Sequence, residues 1–354
     1  MPGDAGPPIR TAVIGYGLAG RVFHAPLVAA ADGLELVAVV TGDPVRQEQL
    51  RADHPGAAVI ASADELLGRA DSYDLVVVAA PNDAHVPLGL AAVERGKAVV
   101  VDKPLALSAD QGAHLVSAAE AAGVSLTVFQ NRRWDSDQLT LRRLIADRSL
   151  GDVLRYESRF ERWRPQPRAG SWRESLPADR GGGLLLDLGS HIVDQALHLF
   201  GPAKRVYAEV DARRGVSDDD VFIALEHVSG VRSHLWAGAL AGSPGPRLRV
   251  LGTGGAFVVD ALDGQEQVLL STGRLPAGGL PEPESAWGRL VRGEESSPVP
   301  SEPGRWDLFY PAVAAAVRGQ APVPVDPRDA VSALRVLEAA RRSAGTGQVV
   351  ELSQ

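Results

Sequence analysis

Hydrophobic positions in the first third of the chain alternate between two rhythms. Short, unbroken apolar runs at Thr11 to Ile14, Leu34 to Val40, Leu75 to Ala80, Ala98 to Val101 and Ser125 to Phe129 predict strands. Between them, Arg21 to Ala31, Ala84 to Arg95 and Ser108 to Ala122 place Ala and Leu at three- and four-residue spacing, which predicts helices. Alternation of this kind implies a parallel sheet with helices on both faces, and doubly covered strands need the continuous apolar runs seen here.

Beyond a charged helix predicted from Asp137 to Asp147 the rhythm changes. Leu154 to Phe160, Arg205 to Val210, Val221 to His227, Val231 to Ala237, Arg247 to Leu251 and Ala256 to Asp260 read as strands joined by Gly-, Asp- and Ser-rich turns. They follow one another without crossover helices, so a mainly antiparallel sheet is expected. Leu184 to Phe200 interrupts them as a helix. From Gly273 to Gly304 no periodicity survives among Gly, Pro, Ser and Glu, which predicts a long excursion or mobile loop. Helices around Trp306 to Arg318 and Pro327 to Ser343 close the chain.

Composition narrows the function. At 354 residues the chain has room for two domains of roughly 150 each. With 36 Lys and Arg against 44 Asp and Glu, the net charge of −8 argues against nucleic acid as a partner. The absence of cysteine removes disulfides, thiolate nucleophiles and Cys-ligated zinc, and suits a reducing cytoplasm. No run approaches the ~18 apolar residues of a membrane span, and MPGDAGPPIR has no signal-like core, so no membrane partner and no export are expected.

Four clusters carry candidate chemistry. Gly15-Tyr16-Gly17-Leu18-Ala19-Gly20 follows the first strand and opens a helix, the context a dinucleotide fingerprint requires. Gly15 permits the turn, Gly17 lets backbone approach a pyrophosphate, Gly20 allows close packing, and free N–H groups at the helix start hold phosphate. Gly252-Thr253-Gly254-Gly255 is a second glycine cluster, read as a hairpin turn between two antiparallel strands. Pro81, Asn82 and Asp83 follow the strand ending at Ala80, where Pro81 and Asn82 would bound the nicotinamide side; Asn82 or Asp83 also suits a helix cap. His85 reads as helix-start packing before it reads as catalytic, and it joins the cofactor candidates by position.

Asp102-Lys103-Pro104 ends a buried strand, where a lysine is costly unless exposed or used, and its ammonium would stabilise a developing alkoxide. In Gly181-Gly182-Gly183-Leu184-Leu185-Leu186-Asp187-Leu188-Gly189-Ser190-His191, helical spacing makes Asp187 and His191 neighbours on one face, with Asp194 continuing it. A carboxylate there would orient the imidazole and raise its pKa, giving a general base near neutrality. A helix cap with a surface ion pair, or a metal site, uses the same residues; no further cluster with ligand spacing supports a metal. His198 reads as core or surface.

These clusters together resemble the glucose-fructose oxidoreductase, inositol dehydrogenase and rhizopine-catabolism (Gfo/Idh/MocA) family: GYGLAG at 15 to 20, PND at 81 to 83, DKP at 102 to 104 and GGGLLLDLGSH at 181 to 191. GYGLAGRVFHAPL, NRRWDSD from Asn131 and LLLDLGSHIVDQAL look most like the branch with NADP-linked scyllo-inositol dehydrogenases. The resemblance implies an N-terminal Rossmann dinucleotide-binding domain over 1–130. It also implies a C-terminal α/β domain over 131–354, with an open, mainly antiparallel sheet, a substrate site and an oligomer interface. The last helix is free to pack back on the first domain. Lys103, Asp187 and His191 become the expected catalytic set.

Two departures bear on the cofactor. Most relatives have Glu where Asp102 stands, one methylene longer. The second strand ends Thr41-Gly42-Asp43, neither the acidic NAD ending nor the Ser/Arg ending common among NADP users. Small Thr41 and Gly42, with Arg46 and Arg21 in reach of a 2′-phosphate, favour NADP over NAD, and Asp43 opposes it. The expected activity interconverts a secondary alcohol and a ketone on a polyol, cyclitol or sugar, with Arg132, Arg133, Trp163 and Arg164 as substrate-wall candidates. The rival is a non-catalytic NAD(P)-binding sensor on the same fold. A sheet covered on one face predicts a homodimer or homotetramer.

Overall fold

The computed structural model describes residues 6–168 and 170–352. Six strands, β1 (Ile9–Ile14), β2 (Leu34–Val40), β3 (Ala58–Ile60), β4 (Leu75–Val78), β5 (Ala98–Asp102) and β6 (Leu126–Phe129), form one sheet in the order β3-β2-β1-β4-β5-β6. Every pairing in it is parallel. The Leu-Val-Val-Val of β4 and the Ala-Val-Val-Val-Asp of β5 are buried throughout, because helices cover both faces. Strand order reverses between β1 and β4, which opens a crevice over their carboxyl ends. β3 is absent from the predicted strands because its three residues bury Ile60 alone and make no apolar run.

The second sheet holds β7 (Val153–Glu161), β8 (Ala203–Asp211), β9 (Asp220–His227), β10 (Arg232–Gly238), β11 (Leu248–Gly252), β12 (Gly255–Val259), β13 (Gly288–Arg292), β14 (Glu295–Val299) and β15 (Val350–Glu351). Its order is β14-β13-β12-β11-β7-β10-β9-β8-β15, antiparallel except where β7 meets β10. Gly252 pairs with Gly255 at the β11–β12 turn, as the glycine cluster predicts. The stretch 273–304 is not a mobile loop: β13 and β14 make a hairpin within it that extends the sheet edge. Its exposed, polar Glu295-Ser296-Ser297-Pro298 shows no apolar alternation because an edge strand buries little, and Pro298 suits an edge.

Helices Gly189–Phe200 and Pro327–Thr346 cover one face of this sheet. The terminal helix also reaches the first sheet's layer, where Glu338 Oε1 accepts the Ala109 N–H at 2.7 Å and caps the Ala109–Ala122 helix. Just before it, the Thr127 hydroxyl on β6 donates to Val325 O at 2.7 Å. The crevice is thereby floored by the first sheet and walled by the second lobe.

Candidate active site

The glycine loop joins β1 to a wide helical turn, Ala19–His24, which runs on as the helix Ala25–Ala30. Gly15 has φ +105°, and a Cβ there would stand 2.4 Å from Ala79 O; a Cβ on Gly20 would stand 1.9 Å from Gly15 O. Protein packing thus explains both. Gly17 differs, since a Cβ there meets nothing nearer than Arg46 Nη1 at 4.0 Å. The space before Gly17 is open, and the residues present fit a diphosphate lying against the loop. Exposed Leu18 and neighbouring Ala19 line the adjoining cleft. Tyr16 turns away, buried beneath the loop with its hydroxyl donating to Asp53 Oδ2 at 2.9 Å, so its side chain supports the loop and does not face a cofactor.

At the tip of β2, Thr41 is buried and Gly42 exposed. Asp43 caps the helix Pro44–Asp53 by accepting from the Val45 and Arg46 N–H groups. Its other oxygen lies 3.5 Å from Arg46 Nε. Asp43 is thus engaged by its own helix, and the Arg46 guanidinium leans toward the glycine loop.

The loop after β4 is tied down from two sides. Asn82 is buried and its Nδ2 donates to Gly181 O at 3.1 Å, joining this loop to the triple glycine of the second lobe. His85 is buried, with Nδ1 2.7 Å from Pro104 O and Nε2 2.9 Å from Ala80 O. The ring bridges the ends of β4 and β5 from behind. It is therefore a strut under the crevice, which corrects its placement among cofactor contacts: both nitrogens are occupied by backbone. Pro81 is exposed at the mouth of the same loop.

Lys103, at the end of β5, donates from Nζ to Asp187 Oδ1 at 2.7 Å and to Asp187 O at 2.9 Å. Arg173 Nε lies 3.4 Å from the same Oδ1. Burial alone would raise the Asp187 carboxyl, but Lys103 and Arg173 outweigh it and hold it below the usual range. His191 is buried, with Nδ1 unpartnered among the described residues. Burial first, then the charges of Lys103, Arg132 and Arg247, push its pKa well below the ordinary histidine value.

This overturns the expected Asp187–His191 pair. The segment is not one helix: Leu184–Asp187 makes a single turn, and a second helix starts at Gly189. The Asp187 carboxylate turns to Lys103 across the crevice instead of following the helix face to His191. Asp194 is likewise withdrawn, accepting two bonds from Arg133 at 2.8 and 2.6 Å.

Lys103, Asp187 and His191 line one cleft of about 390 Å³ with Leu18, Phe23 and Phe129. Arg132 and Arg164 are on its wall, Arg132 paired with Glu266 at 3.1 Å and Arg164 with Glu174 at 3.6 Å. Two wall candidates fall outside it. Arg133 is buried against Asp194 and Asp329, and Trp163 is 64% exposed on the opposite side of the chain from Arg162 and Arg164, since side chains alternate in extended backbone. Sequence reasoning missed Arg162, Arg168 and Arg173, which also line the cleft. Arg162 has no acid partner among the described residues, and burial followed by Arg164 lowers its pKa. Five arginines between 159 and 173 in an acidic chain were the available signal. Among the described residues no group of His, Asp and Glu is arranged to hold a metal.

The same two lobes are matched by two family models. Residues 9–130 match the oxidoreductase-family NAD-binding Rossmann fold, and 142–352 match that family's C-terminal α/β domain. The chain belongs to the Gfo/Idh/MocA oxidoreductase family. This Gfo/Idh/MocA chain is 35% identical over 352 residues to scyllo-inositol 2-dehydrogenase (NADP(+)) IolW of Bacillus subtilis, covering 97% of this chain and 96% of IolW. It is 30% identical over 194 residues to D-glucoside 3-dehydrogenase of Escherichia coli, covering 55% and 54%. A solved structure of the Bacillus subtilis oxidoreductase YvaA superposes with a TM-score of 0.90 at 33% identity, covering 98% of this chain and 99% of that one. This Gfo/Idh/MocA protein is an oxidoreductase with an NAD-binding Rossmann domain. No helix among its described residues is long and apolar enough to cross a membrane.

Proposed function

We propose that this oxidoreductase interconverts a secondary alcohol and a ketone on a polyol, cyclitol or sugar ring, using NADP in preference to NAD. The observation that carries the reading is the Lys103–Asp187 pair facing His191 in a cleft that continues from the open glycine loop. When bound, the dinucleotide supplies the hydride acceptor or donor. Lys103 Nζ, fixed by two bonds to Asp187, presents its remaining N–H to the substrate oxygen and stabilises negative charge developing there. His191, kept neutral, takes the hydroxyl proton during oxidation and returns it during reduction. Asp187 acts through Lys103, holding the ammonium aimed by its two hydrogen bonds. Arg132, Arg162 and Arg164 supply fixed N–H donors for the hydroxyls of the ring.

Arg46 beside Gly17, with Asp43 occupied as a helix cap, supports NADP. IolW, named as an NADP enzyme for an inositol, supports both the cofactor and the substrate class. A non-catalytic sensor would leave the Lys103–Asp187 pair in an open cleft without a use. A panel of polyols, inositols and sugars, followed at the reduced-nicotinamide absorbance with each cofactor, tests the reading. Turnover of a ring alcohol with higher kcat/KM for NADP is expected. Absence of turnover across the panel despite tight NADP binding would favour the sensor.

The outer face of the second sheet supports a homodimer or homotetramer. Phe222 and Trp236 pack there at 5.2 Å between centroids, His234 lies beside them, and the Arg159 guanidinium sits 3.9 Å over Trp236. Phe222, His234 and Trp236 are only half-buried, whereas Val221, Ile223 and Leu235 on the opposite face are buried, and an apolar patch of this kind marks an interface. Light scattering at twice or four times the 37.2 kDa chain mass is expected, and a monomer would contradict it.

A further inference from the structure

Behind Lys103 lies a buried polar chain for which the reaction as derived has no use. His24, at the end of the glycine-loop turn, is fully buried, and its Nδ1 is 2.6 Å from the hydroxyl of Tyr310, on the helix Phe309–Val317, which comes from far along the chain and packs against the first sheet. Its Nε2 has no hydrogen-bond partner among the described residues and lies 3.6 Å from Asp102 Oδ1. That carboxylate accepts the backbone N–H of Lys103 at 2.9 Å. Phe129 packs against the His24 ring at 4.5 Å and against Phe309 at 4.9 Å, so the chain is embedded in apolar surroundings where each polar contact counts.

Polar groups in such a place are costly unless they are satisfied, and three of them from three separate elements form a chain that ends on the backbone N–H of Lys103. A tyrosine hydroxyl that keeps its proton donates to Nδ1, which leaves the ring proton on Nε2, facing Asp102. We propose that His24 and Tyr310 are positioning residues for Lys103, acting through Asp102: Tyr310 fixes the His24 tautomer, His24 holds the Asp102 carboxylate, and Asp102 holds the Lys103 backbone. The inference rests on the reading of Lys103 given above. It makes the Phe309–Val317 helix, far along the chain, part of what aims the ammonium.

The charges around Asp102 agree with this role. His24 faces it from the glycine-loop turn, Lys103 follows it on β5, His85 stands behind it from the helix after β4, and Tyr310 lies beyond His24. Burial alone would raise the Asp102 carboxyl; His24 first, then Lys103 and His85, outweigh it and bring it to about 2. Tyr310 is raised well above the usual phenol range by burial and then by Asp102, so its hydroxyl stays a donor.

Three measurements test the inference. Tyr310→Phe removes the hydroxyl at nearly constant volume and is expected to lower kcat on the order of tenfold, about the worth of one hydrogen bond, with KM for both substrates unchanged. His24→Phe removes both polar contacts and is expected to move the acid limb of kcat above the one set by His191 in the wild type, because the buried Asp102 carboxyl loses the partner that opposes its protonation. His24→Gln, which keeps an N–H toward Asp102, is expected to restore most of the limb. Wild-type kcat and pH profile in both Tyr310→Phe and His24→Phe would overturn the inference, as would losses in kcat that track melting temperature with no change in the pH profile. Independently of activity, ¹⁵N spectra of histidine-labelled protein are expected to show His24 as the Nε2–H tautomer; an Nδ1–H tautomer would overturn it. If Lys103→Met turns over normally while His24 shows the Nε2–H tautomer, the role of Lys103 has failed and the buried chain has not.

Discussion

Replacing Gly17 by alanine separates the two reasons a glycine can stand in the loop after β1. A Cβ at Gly15 or Gly20 would lie 2.4 or 1.9 Å from backbone oxygen, whereas at Gly17 the nearest atom is the movable end of Arg46 at 4.0 Å. The backbone at Gly17 is outside the left-handed region, so alanine fits without strain. The unfolded chain loses freedom on the same substitution, which stabilises a compatible site by about 0.4–1 kcal/mol. Melting of Gly17→Ala is therefore expected at or slightly above the wild-type temperature.

Binding responds in the opposite sense. The new methyl occupies the space through which a diphosphate approaches the loop, and forcing a methyl into a well-packed contact costs about 1–3 kcal/mol. At 1.4 kcal/mol per decade, the Kd for NADP rises about 5- to 150-fold. Gly20→Ala is the control: the chain itself forbids it, so stability is lost before binding is considered. Differential scanning fluorimetry without ligand, with NADP titrated against intrinsic tryptophan fluorescence, reads both quantities. Wild-type affinity in Gly17→Ala, or melting as low as that of Gly20→Ala, would show that Gly17 serves packing and refute the argument.

Lys103→Met is expected to lower kcat on the order of 10²-fold or more while leaving the NADP Kd unchanged, since the role proposed for the ammonium is on the substrate oxygen; an unchanged kcat removes it from the mechanism. Because His191 is held neutral, oxidation should be level from about pH 6.5 upward and fall in acid, with the limb absent in His191→Asn. An inflection between about pH 6 and 8 that His191→Asn abolishes would show instead a stabilised imidazolium. Asp187→Asn leaves Lys103 and Arg173 without their shared carboxylate, and loss of one partner of a buried pair costs about 3–5 kcal/mol. The folded Asp187 pKa is depressed, so its contribution is present above the ordinary carboxylate range and lost as pH falls through the lowered value; the gap between wild type and Asp187→Asn in urea melts should narrow in acid. A gap that widens in acid would contradict the pairing.

Much of the fold was written in local pattern. The apolar runs of β1, β2, β4, β5 and β6 and the glycine loop between β1 and its helix depend on neighbours a few residues apart, so hydrophobic period and turn chemistry reveal them. The segments that carry Lys103, Asp187 and His191 stand out for the same reason: a buried strand ending in a charged pair and an apolar helical run after three glycines are local patterns.

Their pairing was not legible. Spacing of four placed Asp187 beside His191, but a break at Leu188 frees the carboxylate to meet Lys103, 84 residues away, where a buried ammonium needs it more. Arg133 and Arg132 are adjacent in the chain, yet one is consumed by Asp194 and the other reaches the cleft. β3 and the β13–β14 hairpin carry too little buried surface to leave a pattern, and form because a sheet edge is already there to pair with. Sequence determined which groups exist and the elements that carry them; which charge faces which, and hence the state of His191, follows from contacts between elements that local spacing does not encode.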